Sequence, residues 1–216
     1  YKSWPFLFWV SWRSFPRVKP TICELRNGLK FQVSSWSDVH VLKEICTHGH
    51  YERNMKFISD NSTVIDIGAH IGIFSAVAAR YAKNVRVYSF EPLPENFRRL
   101  KFNIALNRME NLVFPSEEAV CGAAGERDLR VTKERFGPSF FDVEGAKGTV
   151  RVKCATLKDI FEKNGITSCD FLKIDAEGAE YEILYNTPPE YLKRVKSIAM
   201  EVHDFLNLPG TGKVAE

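Results

Sequence analysis

From Thr63 onward the hydrophobic positions of the chain switch repeatedly between two rhythms. Short unbroken apolar runs alternate with segments whose apolar residues recur every three or four positions, the marks of buried strands and of helices packed on them. The pattern predicts strand Thr63 to Asp66, helix Ile73 to Tyr81, strand Val85 to Glu91, helix Pro94 to Leu106 and strand Leu112 to Phe114. Repeated crossovers of this kind build an α/β fold with a mostly parallel sheet and helices on both faces, and ligands sit beyond the carboxyl ends of its strands. Further on, Leu157 to Asn164 reads as a helix with Gly165 at the stop position. A strand running into Asp175 follows, then a helix from Ala179 to Tyr185 broken by Pro188-Pro189, and a strand from Ser197 to Val202.

Two regions depart from that rhythm. Leu129-Arg130-Val131 and Val150-Arg151-Val152 read as short strands around a polar, glycine-rich loop carrying Phe136, Phe140 and Phe141, which is a candidate for substrate specificity. Ahead of the sheet, Ile22 to Val33 alternates around Asn27-Gly28, a strong hairpin signal, and is expected to cover an edge of the domain. Ser37 offers an N-cap to a helix carrying Val39, Leu42 and Ile45. The apolar run Trp4 to Trp12 is too short for a bilayer, which takes about 20 residues, and reads as an aromatic arm that packs on protein. The expected division is therefore an aromatic segment over 1–20 and one domain over 21–216.

Chemistry concentrates where strands end. The run Val64-Ile65-Asp66-Ile67 breaks at Gly68 and Gly72 and passes at once into a helix. Such a turn brings backbone close to a ligand and presents helix N–H groups to it. A dinucleotide fingerprint needs a third glycine, which Gly68-Ala69-His70-Ile71-Gly72 lacks. Asp66 would repel a pyrophosphate but could accept from an ammonium, such as the one S-adenosylmethionine (SAM) carries. One strand later, Glu91 is placed to accept the hydroxyls of a ribose before Pro92 stops the strand. Past the third strand, Glu117 or Glu118 could accept from an adenine amino group. Asp175, Glu177 and Glu180 crowd one turn after a later strand, as at an active-site mouth.

Composition narrows the classes. With 216 residues, 44% hydrophobic and 26% charged, the chain has the makings of one packed domain. A net charge of +3 with interspersed signs gives no footprint for nucleic acid or an anionic membrane. Cys23, Cys46, Cys121, Cys154 and Cys169 are scattered singly and odd in number, which reads as reduced, mostly buried thiols and a cytoplasmic setting. His48 and His50 lack a nearby third ligand and read as loop residues.

On Val64-Ile65-Asp66-Ile67-Gly68-Ala69-His70-Ile71-Gly72, Phe90-Glu91-Pro92, Lys173-Ile174-Asp175-Ala176-Glu177-Gly178 and Glu201-Val202-His203, the chain resembles the FkbM-type family of SAM-dependent methyltransferases. The resemblance runs from about Thr21 to His203, and Lys-x-Asp-x-Glu-Gly is its most distinctive part. It implies a Rossmann-like fold and methyl transfer from SAM to a hydroxyl of a small molecule or sugar. The implied cofactor contacts are Asp66, Gly68, Ala69, His70, Gly72, Glu91, Pro92 and Glu118, with Tyr51 near the methionine end. His70 stands where the family commonly has asparagine, and the family's closing helix and strands have no counterpart after Lys213, so the C-terminus reads as truncated. His203, Asp175 and Glu177 are the candidate catalytic residues, with histidine's ordinary pKa of about 6.5 favouring His203 as base and a carboxylate orienting it. A magnesium site of Asp175, Glu201 and His203 ranks below the metal-free reading. The rival from another class is a SAM-binding scaffold or sensor without catalysis.

Overall fold

The computed structural model describes residues 19–47, 55–132 and 146–203. Tyr51, His48, His50, the three phenylalanines of the glycine-rich loop, the Trp4 to Trp12 run and the residues after His203 lie outside the described residues. The central sheet contains β3 (Thr63–Ile67), β4 (Arg86–Phe90), β5 (Val113–Ser116), β9 (Phe171–Ile174) and β10 (Ile198–Met200). Its order is β10-β9-β3-β4-β5 and every pairing in it is parallel. Opposite Ile67 stand Phe90 on one side and Ile174 on the other, so three strands finish level and their loops meet.

Strand residues alternate between two cores. Val64, Val87 and Phe171 face α2 (Ile73–Tyr81) and α3 (Pro94–Leu106), whereas Ile65, Ile67, Leu172 and Ile174 face α4 (Leu157–Lys163) and α5 (Glu180–Asn186). Strands covered on both faces need apolar residues at nearly every position, which is why β3 and β9 read as continuous runs. Helices on both faces of this parallel sheet are what the alternating pattern predicts. α4 has the expected glycine stop: Gly165 has a φ of +61° and follows the C-cap Asn164.

The hairpin β1 (Thr21–Glu24) and β2 (Lys30–Val33) forms as expected, with Gly28 in the left-handed region at its turn. Among the described residues its strands pair only with each other, and it stands on α3, where Asn107 Oδ1 accepts from the Lys30 amide at 2.8 Å and Asn103 Oδ1 accepts from the Gln32 amide at 2.8 Å. Helix α1 (Trp36–Thr47) is capped by Ser35 and not by Ser37. The Asp38 amide donates to Ser35 Oγ while Asp38 Oδ2 accepts from the Ser35 amide, a reciprocal cap that needs the acid three residues on.

The two short strands expected after β5 form as parts of longer strands in a second sheet. β6 (Ala119–Val120) runs parallel to β8 (Ala146–Ala155), and β7 (Gly125–Thr132) pairs antiparallel with β8 along its length. Leu129, Val152, Ala119, Cys121 and Cys154 form its own small core. Among the described residues, no helix is long and apolar enough to cross a membrane.

Candidate active site

The turn after β3 is built by its neighbours. The amides of Gly68 and Ala69 both donate to the carbonyl of Phe90, the His70 amide donates to Glu91 Oε2 at 2.8 Å, and the Gly72 amide donates to the Ala69 carbonyl. Gly68, His70 and Gly72 all have positive φ, from +52° to +83°. The glycines have a different reason from the one their spacing suggests. A Cβ on Gly68 would fall 1.8 Å from the Asp175 carbonyl oxygen, and one on Gly72 would fall 2.4 Å from a Leu100 methyl. The space they leave is taken by the chain itself, and the four amides are spent inside it.

Asp66 is fully buried and sits on the α2 side of the sheet. The ammonium that it meets is the protein's own: Lys173 Nζ lies 3.5 Å from Asp66 Oδ1, while the Ser75 hydroxyl donates to Oδ2 at 2.5 Å. Lys173 also reaches Asp175 Oδ2 at 3.1 Å and the Gly68 carbonyl at 3.2 Å. Burial pushes the Asp66 carboxyl above its ordinary pKa, with Lys173 pulling the other way. Asp66 therefore supports the turn from beneath, through Lys173, and Asp175 is the carboxylate of the pair that reaches the surface.

Glu91 joins two loops. Besides the His70 amide, it accepts from the Leu93 amide at 3.0 Å and from Asn96 Nδ2 at 3.4 Å, and it is 4% exposed. Burial raises its pKa to about 7, against the pull of those hydrogen bonds. Pro92 follows at the same edge, half-buried. Glu118 turns towards Ser116 Oγ, which donates at 2.8 Å, and towards Lys163 at 3.7 Å. It lines a narrow cleft with Phe90, Phe114, Ala155 and Ile160 at the carboxyl ends of β4 and β5.

The acidic mouth forms where β9 and β10 end. His203 Nδ1 lies 2.9 Å from Glu180 Oε1, and Glu180 also accepts from the Ala176 and Gly178 amides. That leaves His203 Nε2 facing Glu177 at 3.7 Å, Glu201 at 3.7 Å and Asp175 at 4.0 Å. The hydrogen bond to Glu180, then the carboxylates around it, raise the His203 pKa to about 9 despite burial. Glu177, with a positive φ of +50°, is raised by burial to about 7, and His203 opposes that rise. Burial likewise works to raise Glu180, but His203 and the Gly178 amide outweigh it and hold its carboxyl below the ordinary value. Asp175, Glu177 and His203 each offer one atom within 4.8 Å of the others and could hold a metal ion, so Glu177 stands where the lower-ranked magnesium reading put Glu201.

The structure thus brings Gly68, Ala69, His70, Gly72, Glu91 and Pro92 to one edge and Asp175, Glu177 and His203 beside it, with Glu118 set apart in its cleft. Two roles were not read from the sequence. Lys173 was signalled by a charge inside an apolar strand, which demands a buried partner. Glu180 as the partner of His203 had no signal, because the contact spans 23 positions.

Comparison with known proteins adds an independent line. The profile described as methyltransferase FkbM domain matches residues 66–211. AMB antimetabolite synthetase AmbE of Pseudomonas aeruginosa is 28% identical over 76% of this chain, which spans 9% of that much longer protein. The 31-O-demethyl-FK506 methyltransferase FkbM of Streptomyces tacrolimicus is 26% identical over 75% of this chain and 73% of its own length. Hexuronic acid methyltransferase AglP of Haloferax volcanii is 22% identical over 90% of this chain and 79% of its own.

Proposed function

The chain belongs to the methyltransferase FkbM domain family, and from that premise we propose that it moves a methyl group from SAM to a hydroxyl oxygen of a small molecule or sugar. The observation that carries the cofactor is the chemistry of the donor set around the first turn. The Gly68, Ala69, His70 and Gly72 amides are already spent inside the chain, and Lys173 and Arg99 are paired with Asp66, Asp175 and Asp38. The carboxylates Glu91, Asp175, Glu177 and Glu201 gather at the strand ends, with Lys173 and His203 as the cations among them. Such an edge suits a cationic, phosphate-free cofactor and disfavours a pyrophosphate, which needs amides or cations to hold it. A hydroxyl acceptor is supported by relatives whose names specify a 31-O-demethyl substrate and a hexuronic acid.

In this reading Glu91 accepts the ribose hydroxyls, the cleft beside Glu118 takes the adenine, and Asp175 faces the amino-acid end. Bound SAM supplies a methyl group already activated by its sulfonium. The chain's residues have two tasks left, to hold the acceptor oxygen in line and to take its proton. At neutral pH a histidine with a pKa of about 9 carries its own proton. Glu177, near 7, is then the group able to accept, with His203 as the cation that holds it and Glu180 as the orienter of His203. This exchanges the roles the sequence suggested for His203 and its carboxylate partner.

Calorimetric titration is expected to show binding of SAM and S-adenosylhomocysteine and none of NAD. Tight NAD binding without a response to SAM would sink the assignment. Glu91→Ala should raise the SAM Kd roughly ten- to a hundredfold, the worth of a hydrogen bond to a charged group, about 1.5–3 kcal/mol. Because Glu91 also ties the His70 and Leu93 amides, the melting temperature should fall as well. A fall in melting temperature with an unchanged Kd on folded protein would leave Glu91 as a link between loops only.

A further inference from the structure

Cys121 and Cys154 lie away from the acidic mouth, in the core of the small sheet. Their sulfurs are 3.0 Å apart, and the residues are 1% and 5% exposed. The register explains the meeting. Cys154 of β8 pairs with Ala119 on one side and with Gly125 on the other, so the chain leaves β6, turns, and returns along β7 on the far side of β8, with Cys121 inside the turn. The Cys121 amide donates to the Ala155 carbonyl at 2.9 Å, which fixes the approach. A disulfide bond is about 2.05 Å long, so side-chain rotation has only about 1 Å to close.

We propose that Cys121 and Cys154 form a reversible disulfide when the protein meets a two-electron oxidant such as hydrogen peroxide. Cys154 is the attacking sulfur. The hydrogen bond from Cys121 holds its thiol below the ordinary value against burial, and the Arg127 guanidinium adds to that, whereas the Cys121 thiol is pushed up. The Cys154 thiolate attacks one peroxide oxygen, hydroxide leaves, and a sulfenic acid forms. Cys121 then attacks that sulfur and displaces the oxygen as water, so two thiols and one peroxide give one disulfide and two waters. The other described cysteines have no such neighbour among the described residues. Burial raises Cys23 to about 11 and Cys169 to about 12, which keeps them as unreactive thiols.

The bond would fasten the small sheet where it meets α5. Arg127 pairs with Glu182 of that helix, and Gly122, next to Cys121, has no room for a Cβ against the Glu182 carbonyl at 2.8 Å. The same helix begins with Glu180, so the cross-link braces the element that orients His203.

The test takes the full chain, reduced and then treated with hydrogen peroxide, alkylated while denatured, and digested without reductant for mass spectrometry. One linked peptide pair containing Cys121 and Cys154, lighter by two hydrogens, is expected, with Cys23 and Cys169 alkylated as free thiols. The oxidised protein should melt several degrees higher, and dithiothreitol should reverse both changes. In Cys154→Ser the treatment should leave Cys121 alkylated. Recovery of Cys121 and Cys154 as separate thiols or sulfinic acids after oxidation overturns the proposal, and so does a linkage to Cys23 or Cys169.

Discussion

Replacing Lys173 by methionine is expected to cost the fold about 3–5 kcal/mol at neutral pH, the penalty for leaving buried charge without its partner. Lys173 is 4% exposed inside β9, and its ammonium serves Asp66, Asp175 and the carbonyls of Ile67 and Gly68 together. Methionine fills the volume and keeps the stem but removes the charge. Among the described residues Asp66 Oδ1 has no hydrogen-bond partner, and the ion pair with Lys173 at 3.5 Å compensates it. The sign of the pH dependence follows from Asp66. Burial already raises its folded pKa above 3.8, and loss of Lys173 raises it further. A group with a raised carboxyl pKa binds its proton more tightly when folded, so stability falls as pH rises through the window above 3.8. The penalty should accordingly be largest at pH 7 and shrink at pH 5, where urea denaturation can compare them. Adding Asp66→Asn to the variant should restore part of the loss, because the unpaired charge is then gone. A cost below about 1 kcal/mol that does not vary with pH would mean that water, not Lys173, compensates Asp66, since such values are those of exposed pairs.

That pair illustrates what the sequence made legible. A strand buried on both faces must be apolar nearly throughout, so β3 and β9 stood out, and so did Asp66 inside β3, whereas the charge of Lys173 inside β9 was present but went unread. Helix ends with local signals were legible too: Gly165 stops α4 where expected. The cap of α1 was misassigned by two residues because Ser35 and Ser37 are equal candidates until Asp38 selects one. Contacts between distant segments left no local trace. Nothing near Asn27-Gly28 announces that the hairpin will stand on Asn103 and Asn107, more than 70 positions away. The glycines of the first turn looked like room for a ligand, but the carbonyl of Asp175 and the side chain of Leu100 fill that room. Only a fold can show that, because Gly68 and Asp175 belong to different strands' loops.

The acidic mouth should show its division of labour in the pH dependence of turnover. With Glu177 as the proton acceptor, kcat is expected to rise through pH about 7 as its carboxyl ionises, well below the pH of about 9 where His203 loses its proton. Glu177→Gln removes the acceptor and should lower kcat by about a hundredfold or more, the usual worth of a positioned base. His203→Gln keeps a donor for Glu180 but removes the positive charge. Because His203 is the largest influence holding the Glu177 pKa down against burial, the rising limb should move to higher pH while the plateau stays nearly the same. SAM affinity should change little in either variant, since the proposed cofactor contacts come from the β3, β4 and β5 loops and from Asp175. The opposite pattern is equally readable. A rising limb near pH 9 in the unaltered protein, abolished in His203→Gln, would make His203 the base and Glu177 its companion. Loss of activity in EDTA with recovery in magnesium would instead assign Asp175, Glu177 and His203 to a cation, whose charge would then take the place of the imidazolium.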